Sequence, residues 1–195
     1  MSGQSWLDVG AGHGEIASIL ASRHLEGTAI DIGPRPHGLA KAVDYHGVDI
    51  NKNSWHQNAG GKYDTVYAIA VWEHLLRPDL FAEECLRLVK RRGCLILVCP
   101  DYGSLARKLL GSRWPYFEPG EHISIPSRLG ARRCLERKVA ELGVAATIQV
   151  GRLNVCYSVK YLAEVLRLTF ASNFIPSNFS LPMPTGLLFA KVNLD

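Results

Sequence analysis

The sequence has no long hydrophobic run. Its 195 residues hold no stretch of about 18 or more consecutive apolar residues, the length that a membrane-spanning helix requires. Its first residues also lack the basic segment followed by an apolar one that marks a secretory leader. The sequence therefore predicts a protein with neither a membrane span nor a signal peptide.

Cysteine is scarce and shows no pairing pattern. No two of the cysteines form a C-x-x-C motif, and their number is odd: the five are Cys85, Cys94, Cys99, Cys134 and Cys156. Most lie among apolar residues, which is typical of buried, reduced thiols. Because a reducing compartment keeps thiols free, we expect a cytoplasmic protein without a disulfide framework.

The sequence also lacks a strong excess of charge of one sign. Its formal net charge is +4, and its basic clusters are short, at 90–92 and 132–133. A solvated helix end explains such clusters as well as a nucleic-acid surface does. We therefore expect no nucleic-acid partner. The length and the 47% hydrophobic content indicate one domain over residues 1–195.

What the sequence does contain is a regular alternation of short apolar runs and amphipathic stretches. The apolar runs predict strands at 6–9, 28–32, 47–50, 63–70, 94–99, 145–150 and 186–192. Helical spacing predicts helices at 15–23, 80–90, 104–111, 128–142 and 159–168, and the prolines at 176, 182 and 184 predict an irregular loop. This alternation is typical of an α/β fold with seven strands: a mostly parallel sheet, helices on both faces, and an antiparallel last strand beside the sixth.

A glycine-rich turn, WLDVGAGHGE at 6–15, follows the first predicted strand. A dinucleotide-binding turn has the pattern G-x-G-x-x-G, and its third glycine is missing because Glu15 occupies that position. This disfavours a nicotinamide-dependent oxidoreductase. The pattern present is D-x-G-x-G-x-G, whose bare backbone lets a ligand approach closely; its residues are Asp8, Gly10, Gly12 and Gly14. An ordinary tight turn between a strand and a helix is the alternative.

Acidic residues close the next two predicted strands. Asp31 ends the second strand 17 residues after Gly14, where a carboxylate can accept hydrogen bonds from both ribose hydroxyls of an adenosyl group. A strand-end cap is the alternative role. Asp49 ends the third predicted strand, where it could meet the amine of adenine, and Asp44 competes for that role if the strand register differs. Because parallel strands end at one edge of the sheet, we expect Asp8, Asp31 and Asp49 to share a ligand there.

At this point the chain resembles the class I S-adenosylmethionine-dependent methyltransferases, over almost its full length. The resemblance is greatest to the ubiquinone and menaquinone biosynthesis type and the small-molecule methyltransferases around it. It is carried by WLDVGAGHG, AIDI, HGVDI, the stretch YDTVYAIAVWEHLLRPDLFAEECLRLVKRRGCLILVCPD and the segment PDYGSLARKLLGSRWPYFEPGEHIS. The resemblance implies a Rossmann-like fold and transfer of a methyl group to a small-molecule acceptor. A methyltransferase-like binding protein with weak or lost turnover is the alternative.

The resemblance implies S-adenosylmethionine as the cofactor and a set of residues that bind it. These residues are Asp8, Gly10 and Gly12 at the methionine end, Asp31 and Ile32 at the ribose, Asp49 and Ile50 at the adenine, and the backbone of Ile69 and Ala70. Relatives also carry helices that cover the cofactor ahead of the first strand, which begins about five residues into this sequence. We expect either that the loop around Trp114 covers the cofactor or that the site is open.

The same resemblance raises the question of a metal. Some relatives hold a divalent ion with Glu-x-x-Glu-His, whereas this chain reads Ala-Val-Trp-Glu-His at 70–74. Because Glu73 and His74 alone offer too few oxygen ligands for magnesium, we expect no metal.

The sulfonium of the cofactor already activates the methyl group, so a general base is optional for the reaction. Candidates for the base are His122 and His74, and a hydrogen-bonded structural histidine is the alternative for each. His13, in the glycine turn, is expected at most to contact the cofactor. Aromatic residues that could form walls of the acceptor pocket, or pack in the core instead, are Trp72, Trp114, Tyr116 and Phe117. We expect the acceptor specificity to lie in the segments 101–127 and 151–185.

Overall fold

A seven-stranded sheet forms the centre of the protein in a computed structural model that describes residues 4–158 and 180–195. Its strands are β1 (Trp6–Val9), β2 (Gly27–Asp31), β3 (Asp44–Gly47), β4 (Tyr63–Ile69), β5 (Val89–Pro100), β6 (Ala146–Ser158) and β7 (Ser180–Leu194). The α-helices of the described residues are α1 (Glu15–Ser22), α2 (Pro78–Leu88), α3 (Leu105–Leu110) and α4 (Arg128–Glu141). Short 3₁₀ helices cover Trp55–Asn58, Trp72–His74 and Gly111–Arg113.

The strand order across the sheet is β3-β2-β1-β4-β5-β7-β6. The first five strands in this order pair in parallel, and β7 lies antiparallel between β5 and β6. The predicted fold class, including the antiparallel last strand beside the sixth, is confirmed. Strands β1 to β3 follow one another outward to one edge of the sheet, and the strands from β4 onward fill the other half, which ends at β6. A crevice therefore opens at the carboxyl ends of β1 and β4, the usual ligand-binding position in such sheets.

The two faces of the sheet carry separate apolar clusters because side chains alternate along each strand. Leu7, Val66 and Leu95 point to one face, where they join a cluster with Phe81 of α2 and Leu135 of α4. The other face packs against α1 through a smaller cluster that contains Trp6, Ala17, Ala29, Leu39, Val43 and Tyr67. Within the described residues, no helix is long and apolar enough to cross a membrane.

Several predicted boundaries are wrong. The sixth strand, predicted at 145–150, covers Ala146–Ser158. The third strand lies at Asp44–Gly47, not at 47–50. It is an edge strand with exposed ends, so polar residues suffice there and the apolar pattern is no guide. Helix α2 ends at Leu88, because Val89 already pairs with Tyr63 in the sheet. Strand β5 begins at Val89, not at 94, so Gly93 lies inside it, where a Cβ would come within 2.7 Å of the Asp64 backbone oxygen.

The loop predicted from the prolines at 182 and 184 is also wrong, since both belong to β7. This part of β7 pairs with β6 alone, because β5 ends at Pro100, which lies opposite Leu187 of β7. A strand with one open edge tolerates proline because no hydrogen bond is needed from the missing N–H. The predicted helix at 159–168 and the proline at 176 lie outside the described residues.

A buried carboxylate fixes the segment that follows β5. Asp101 is 1% exposed, and its Oδ2 accepts a hydrogen bond of 2.9 Å from Arg128 Nε. Its Oδ1 accepts from the backbone N–H groups of Gly103 and Arg128, at 2.9 and 3.3 Å. Asp101 therefore joins the end of β5 to the start of α4 and closes the segment 101–127 into a loop at the carboxyl edge of the sheet.

Replacing this carboxylate should destabilise the protein. Asp101→Ala leaves the Arg128 guanidinium and two partly buried backbone N–H groups without their acceptor, so we expect the free energy of unfolding to fall by about 2–4 kcal/mol in a urea titration. The control is Asp79→Ala, which removes a half-exposed carboxylate at 3.7 Å from Arg137 and should cost less than about 1 kcal/mol. Equal losses in the two variants would contradict this account of Asp101.

Candidate functional site

The glycine turn after β1 leaves an open patch of backbone at the crevice. Gly12 has a φ of 54°, in the left-handed region, and an added Cβ would have none of the described atoms within 4 Å. Gly10 has a different role, because a Cβ there would lie 2.5 Å from the Val71 side chain. Gly10 thus allows close packing, whereas Gly12 presents bare backbone to a ligand.

The Asp31 carboxylate lies directly beside this bare backbone. Its Oδ2 accepts a hydrogen bond of 2.7 Å from the Gly12 N–H, and its Oδ1 accepts one of 2.7 Å from the Ile32 N–H. Asp31 is the last residue of β2, as predicted. Each carboxylate oxygen keeps a second lone pair, so the group can also accept hydrogen bonds from a ligand diol.

Asp8 is a buried acid beneath the same crevice. It is 5% exposed and lies in β1 opposite Tyr67 of β4. Burial raises the pKa of Asp8 to about 6, an effect that the charge of Asp31 reinforces and the Tyr67 hydroxyl opposes. A carboxylate with this pKa keeps its charge at neutral pH at a cost in stability, and shifted pKa values of this kind cluster at functional sites.

The two residues proposed for adenine lie in the loop after β3. Asp49 and Ile50 follow the end of the strand by two and three residues, since β3 ends at Gly47. A hydrogen bond of 2.8 Å from the Val48 N–H to the Asp31 backbone oxygen fixes this loop beside the end of β2. Asp44, the competing candidate, begins β3 and pairs with Thr28. It therefore lies at the opposite end of the strand from the crevice.

Three further residues of the predicted set border the crevice. Ile32 is 70% exposed directly after β2, and Ile69 is partly exposed as the last residue of β4. Ala70 has a φ of 54°, which is unusual for a residue other than glycine. Its N–H donates to the Val98 backbone oxygen at 2.9 Å. Strained backbone of this kind is maintained by its surroundings and often marks a binding site.

The two candidate histidines meet at the other side of the crevice. The ring centroids of His74 and His122 are 4.6 Å apart, at an interplanar angle of 67°. His74 Nδ1 lies 2.9 Å from the Glu121 backbone oxygen, and His122 Nδ1 lies 2.7 Å from that of Tyr116. A carbonyl oxygen can only accept, so each Nδ1 carries a proton and each neutral ring keeps its lone pair on Nε2.

Glu73 completes this group; the sequence led us to consider it only as a magnesium ligand beside His74, because the sequence does not reveal burial. It is 1% exposed, and its Oε2 has no hydrogen-bond partner among the described residues. Burial raises the pKa of the Glu73 carboxyl above its ordinary value, although the charges of His74 and His122 oppose this. We call Glu73, His74 and His122 the EHH cluster.

The backbone of Glu73 brings the two parts of the EHH cluster together. Its carbonyl oxygen accepts hydrogen bonds of 2.8 and 2.9 Å from the N–H groups of Ile123 and Ser124. These bonds hold His122, which lies 49 residues after Glu73 in the sequence, against the 3₁₀ helix that follows β4. The contact could not be predicted from spacing alone.

The four candidate aromatic residues divide between core and surface. Trp72 is buried and its indole N–H donates to the Pro78 backbone oxygen at 2.7 Å, so it packs in the core. Trp114 is also buried, with its ring 5.5 Å from that of Tyr116. Phe117 is partly exposed and remains a candidate for contact with an acceptor.

Comparison with known proteins supplies the family. A family model described as a methyltransferase domain matches residues 1–138. The chain belongs to this methyltransferase-domain family. The resemblance inferred from the sequence motifs is thereby confirmed.

Among individual relatives of this methyltransferase-domain protein, a ubiquinone biosynthesis O-methyltransferase of Dechloromonas aromatica is 30% identical over 105 residues. One from Xanthomonas oryzae pv. oryzae is 32% identical over 105 residues. The first match covers 50% of this chain and 44% of the relative, and the second 50% and 43%. The chain thus spans less than half the length of these curated relatives.

Solved structures support the fold. The plantazolicin methyltransferase BamL, in complex with a triazolic desmethylPZN analogue and SAH, superposes with a TM-score of 0.66 at 17% identity, over 98% of this chain and 77% of BamL. A SAM-dependent methyltransferase from Archaeoglobus fulgidus gives 0.65 at 14% identity, over 99% and 86% of the two chains. At such identities the likeness concerns the fold.

The buried acid of β1 gives a test of the site that needs no ligand. The pKa of Asp8 is raised from 3.8 to about 6, so the folded state binds a proton more tightly than the unfolded state does. Ionisation then costs stability as the pH rises from about 4 to about 6. We expect Asp8→Asn to raise the free energy of unfolding at pH 7.5 by about 1–3 kcal/mol, and by little at pH 4.

Urea titrations at the two pH values measure this difference. The control is Asp64→Asn, because hydrogen bonds from Ser5 lower the pKa of Asp64 to about 2. The ionised form of Asp64 is stabilising above its unfolded pKa, so its replacement should lower stability at pH 7.5. If Asp8→Asn also destabilised the protein at pH 7.5, the assignment of Asp8 as a costly buried charge would be wrong.

Proposed function

We propose that the protein transfers a methyl group from S-adenosylmethionine to a hydroxyl oxygen of a small-molecule acceptor. The observation that carries the proposal is the pairing of Asp31 with the open backbone of Gly12, at 2.7 Å, in the crevice between β1 and β4. Membership of the methyltransferase-domain family supports the cofactor, and the 30–32% identical ubiquinone biosynthesis O-methyltransferases support oxygen as the accepting atom.

The residues present fit an adenosyl amino acid. Asp31 would accept hydrogen bonds from the ribose diol through the lone pairs that its backbone contacts leave free. The bare backbone at Gly12 leaves room for the ligand, because no described atom lies within 4 Å of the Cβ position. Asp8, which keeps a charge at neutral pH, would bind the methionine end. Ile32, Asp49 and Ile50 would flank the adenine.

The reaction needs little from the protein besides position. When bound, S-adenosylmethionine supplies a methyl group already activated by its sulfonium. The backbone of Ile69 and Ala70 borders the methyl-transfer position, and the partly exposed Phe117 would exclude water from the acceptor. His122 or His74 would take the proton of the acceptor hydroxyl on its free Nε2. A base of this kind contributes about 10²–10⁴-fold to a rate.

The segment 101–127, together with 151–185, would select the acceptor. Asp101 fixes the first of these segments at the same edge as the EHH cluster. We place the activity in the cytoplasm, which the free thiols of Cys85, Cys94, Cys99 and Cys134 support.

Isothermal titration with S-adenosylhomocysteine tests the cofactor site through one glycine. In Gly12→Ala the new methyl group occupies the space where the ligand would approach, so we expect the affinity to fall at least tenfold. Because the φ of Gly12 is positive, the variant should also lose about 1 kcal/mol of stability. The matched control is Gly143→Ala, which has a φ of 64° and equally open surroundings after α4.

Gly143→Ala should lose similar stability and keep the affinity of the unaltered protein. Silent titrations of the unaltered protein with both S-adenosylmethionine and S-adenosylhomocysteine at millimolar concentration would overturn the proposed function. Turnover is measured separately, as S-adenosylhomocysteine formed over a panel of hydroxylated aromatic acceptors. Cofactor binding without product across the panel would favour a binding protein over an enzyme.

A further inference from the structure

The EHH cluster has the composition of a metal site. One ligand atom from each of Glu73, His74 and His122, a carboxylate oxygen and two ring nitrogens, lies within 4.8 Å of the other two. Two imidazoles and one carboxylate are a ligand set of divalent transition ions such as Zn²⁺ and Fe²⁺. The argument from sequence against a metal considered Glu73 and His74 alone and concerned magnesium. The structure adds His122 and a second nitrogen.

The hydrogen bonds of both histidines orient them as metal ligands. Each Nδ1–H donates to a backbone oxygen, at 2.9 Å for His74 and 2.7 Å for His122, which leaves Nε2 available. Metal-bound histidines in proteins usually have their other nitrogen held in this way, because the contact fixes the tautomer and the ring orientation. In the neutral tautomer that these contacts select, the lone pair of Nε2 is therefore the one that faces an incoming ion.

The carboxylate gives an independent observation. Glu73 Oε2 is buried and lacks a hydrogen-bond partner among the described residues. A buried polar atom of this kind costs free energy unless a partner satisfies it. His122 and His74 are the ionisable neighbours of this carboxyl, together with the more distant charge of Glu118. An ion between the three side chains would satisfy the oxygen.

Glu118 provides a fourth group at the rim. Its Oε2 lies 3.7 Å from His122 Nε2, beyond hydrogen-bond distance, and the side chain is half-exposed. The Glu118 carboxylate could bind an ion as its fourth ligand, or it could leave the fourth coordination position open toward the crevice. Both arrangements are usual for zinc, which takes four ligands in structural sites and keeps one position open in catalytic ones.

We propose that Glu73, His74 and His122 form a binding site for one divalent transition-metal ion of the zinc type. The ion would bind the Nε2 lone pairs that accept the hydroxyl proton in the proposed reaction. An Nε2 atom that binds the ion therefore cannot accept a proton at the same time. The site lies at the acceptor side of the proposed function, but ion binding requires neither cofactor nor turnover. It can therefore be tested apart from methyl transfer.

The test is titration of the chelator-treated 195-residue chain with Zn²⁺ by calorimetry, and with Co²⁺ by visible absorption. We expect one ion per chain, a Co²⁺ spectrum of low coordination number, and much weaker binding of Mg²⁺. Glu73→Gln, His74→Ala and His122→Ala should each weaken Zn²⁺ binding at least 100-fold. Circular dichroism and urea unfolding establish that each variant folds, and His74→Ala, which alters a partly exposed side chain, is the mildest.

The matched control is His46→Ala. His46 and Asp44 also bring a histidine nitrogen and a carboxylate oxygen within 2.8 Å, but at an exposed position on β3. This variant should keep the full Zn²⁺ affinity. Absence of one-to-one Zn²⁺ binding, or binding that His46→Ala weakens and His122→Ala does not, would overturn the proposal. Loss of Zn²⁺ binding with retained S-adenosylhomocysteine binding would separate the metal site from the cofactor site.

Discussion

The hydrogen bond from the Gly12 N–H to the Asp31 carboxylate determines the shape of the cofactor side of the crevice. It forms because β1 and β2 are adjacent parallel strands with Val9 opposite Ile30, so the two strands end at the same level of the sheet. The N–H groups of Gly10 and Ala11 then bond to the Ile30 oxygen, at 2.9 and 3.1 Å. The turn is thereby bent over the end of β2, and a carboxylate faces exposed backbone. This arrangement is the basis of the proposed binding of a diol and an amino acid at one place.

The end of β4 organises the acceptor side in a similar manner. Ala70 leaves the sheet in a left-handed conformation, and the following 3₁₀ helix places Glu73 and His74 at the same edge. The Glu73 carbonyl then holds the chain at Ile123, which brings His122 to the group. Because β1 and β4 are neighbours, the two halves share one crevice. The strand order therefore joins a cofactor side built from local turns with an acceptor side built from distant segments.

This division explains what could be predicted from the sequence. The order of strands and helices, Asp31 at the end of β2 and the turn at Gly12 follow from local patterns, and the structure has them. The predicted positions of the edge strand β3 and of the start of β5 were wrong, because exposed polar residues pair in β3 and basic residues begin β5. The meeting of Glu73 with His122 depends on a hydrogen bond between Glu73 and Ile123, which are 50 residues apart. Periodicity carries no information about such a contact, nor about which carboxylate is buried.

Two buried acids lie at the crevice, Asp8 on one side and Glu73 on the other. Burial raises the pKa of both Asp8 and Glu73, whereas hydrogen bonds lower the pKa of Asp64 and Glu83, which lie away from the crevice. Asp64 and Glu83 are stabilising as ions in the folded chain; Asp8 and Glu73 are not, unless a ligand compensates for their desolvation. A fold selected for stability alone would place apolar groups at these two positions. Asp8 lies on the proposed cofactor side and Glu73 beside two histidines, so a positively charged group bound at either place would offset the cost of burying a carboxylate there.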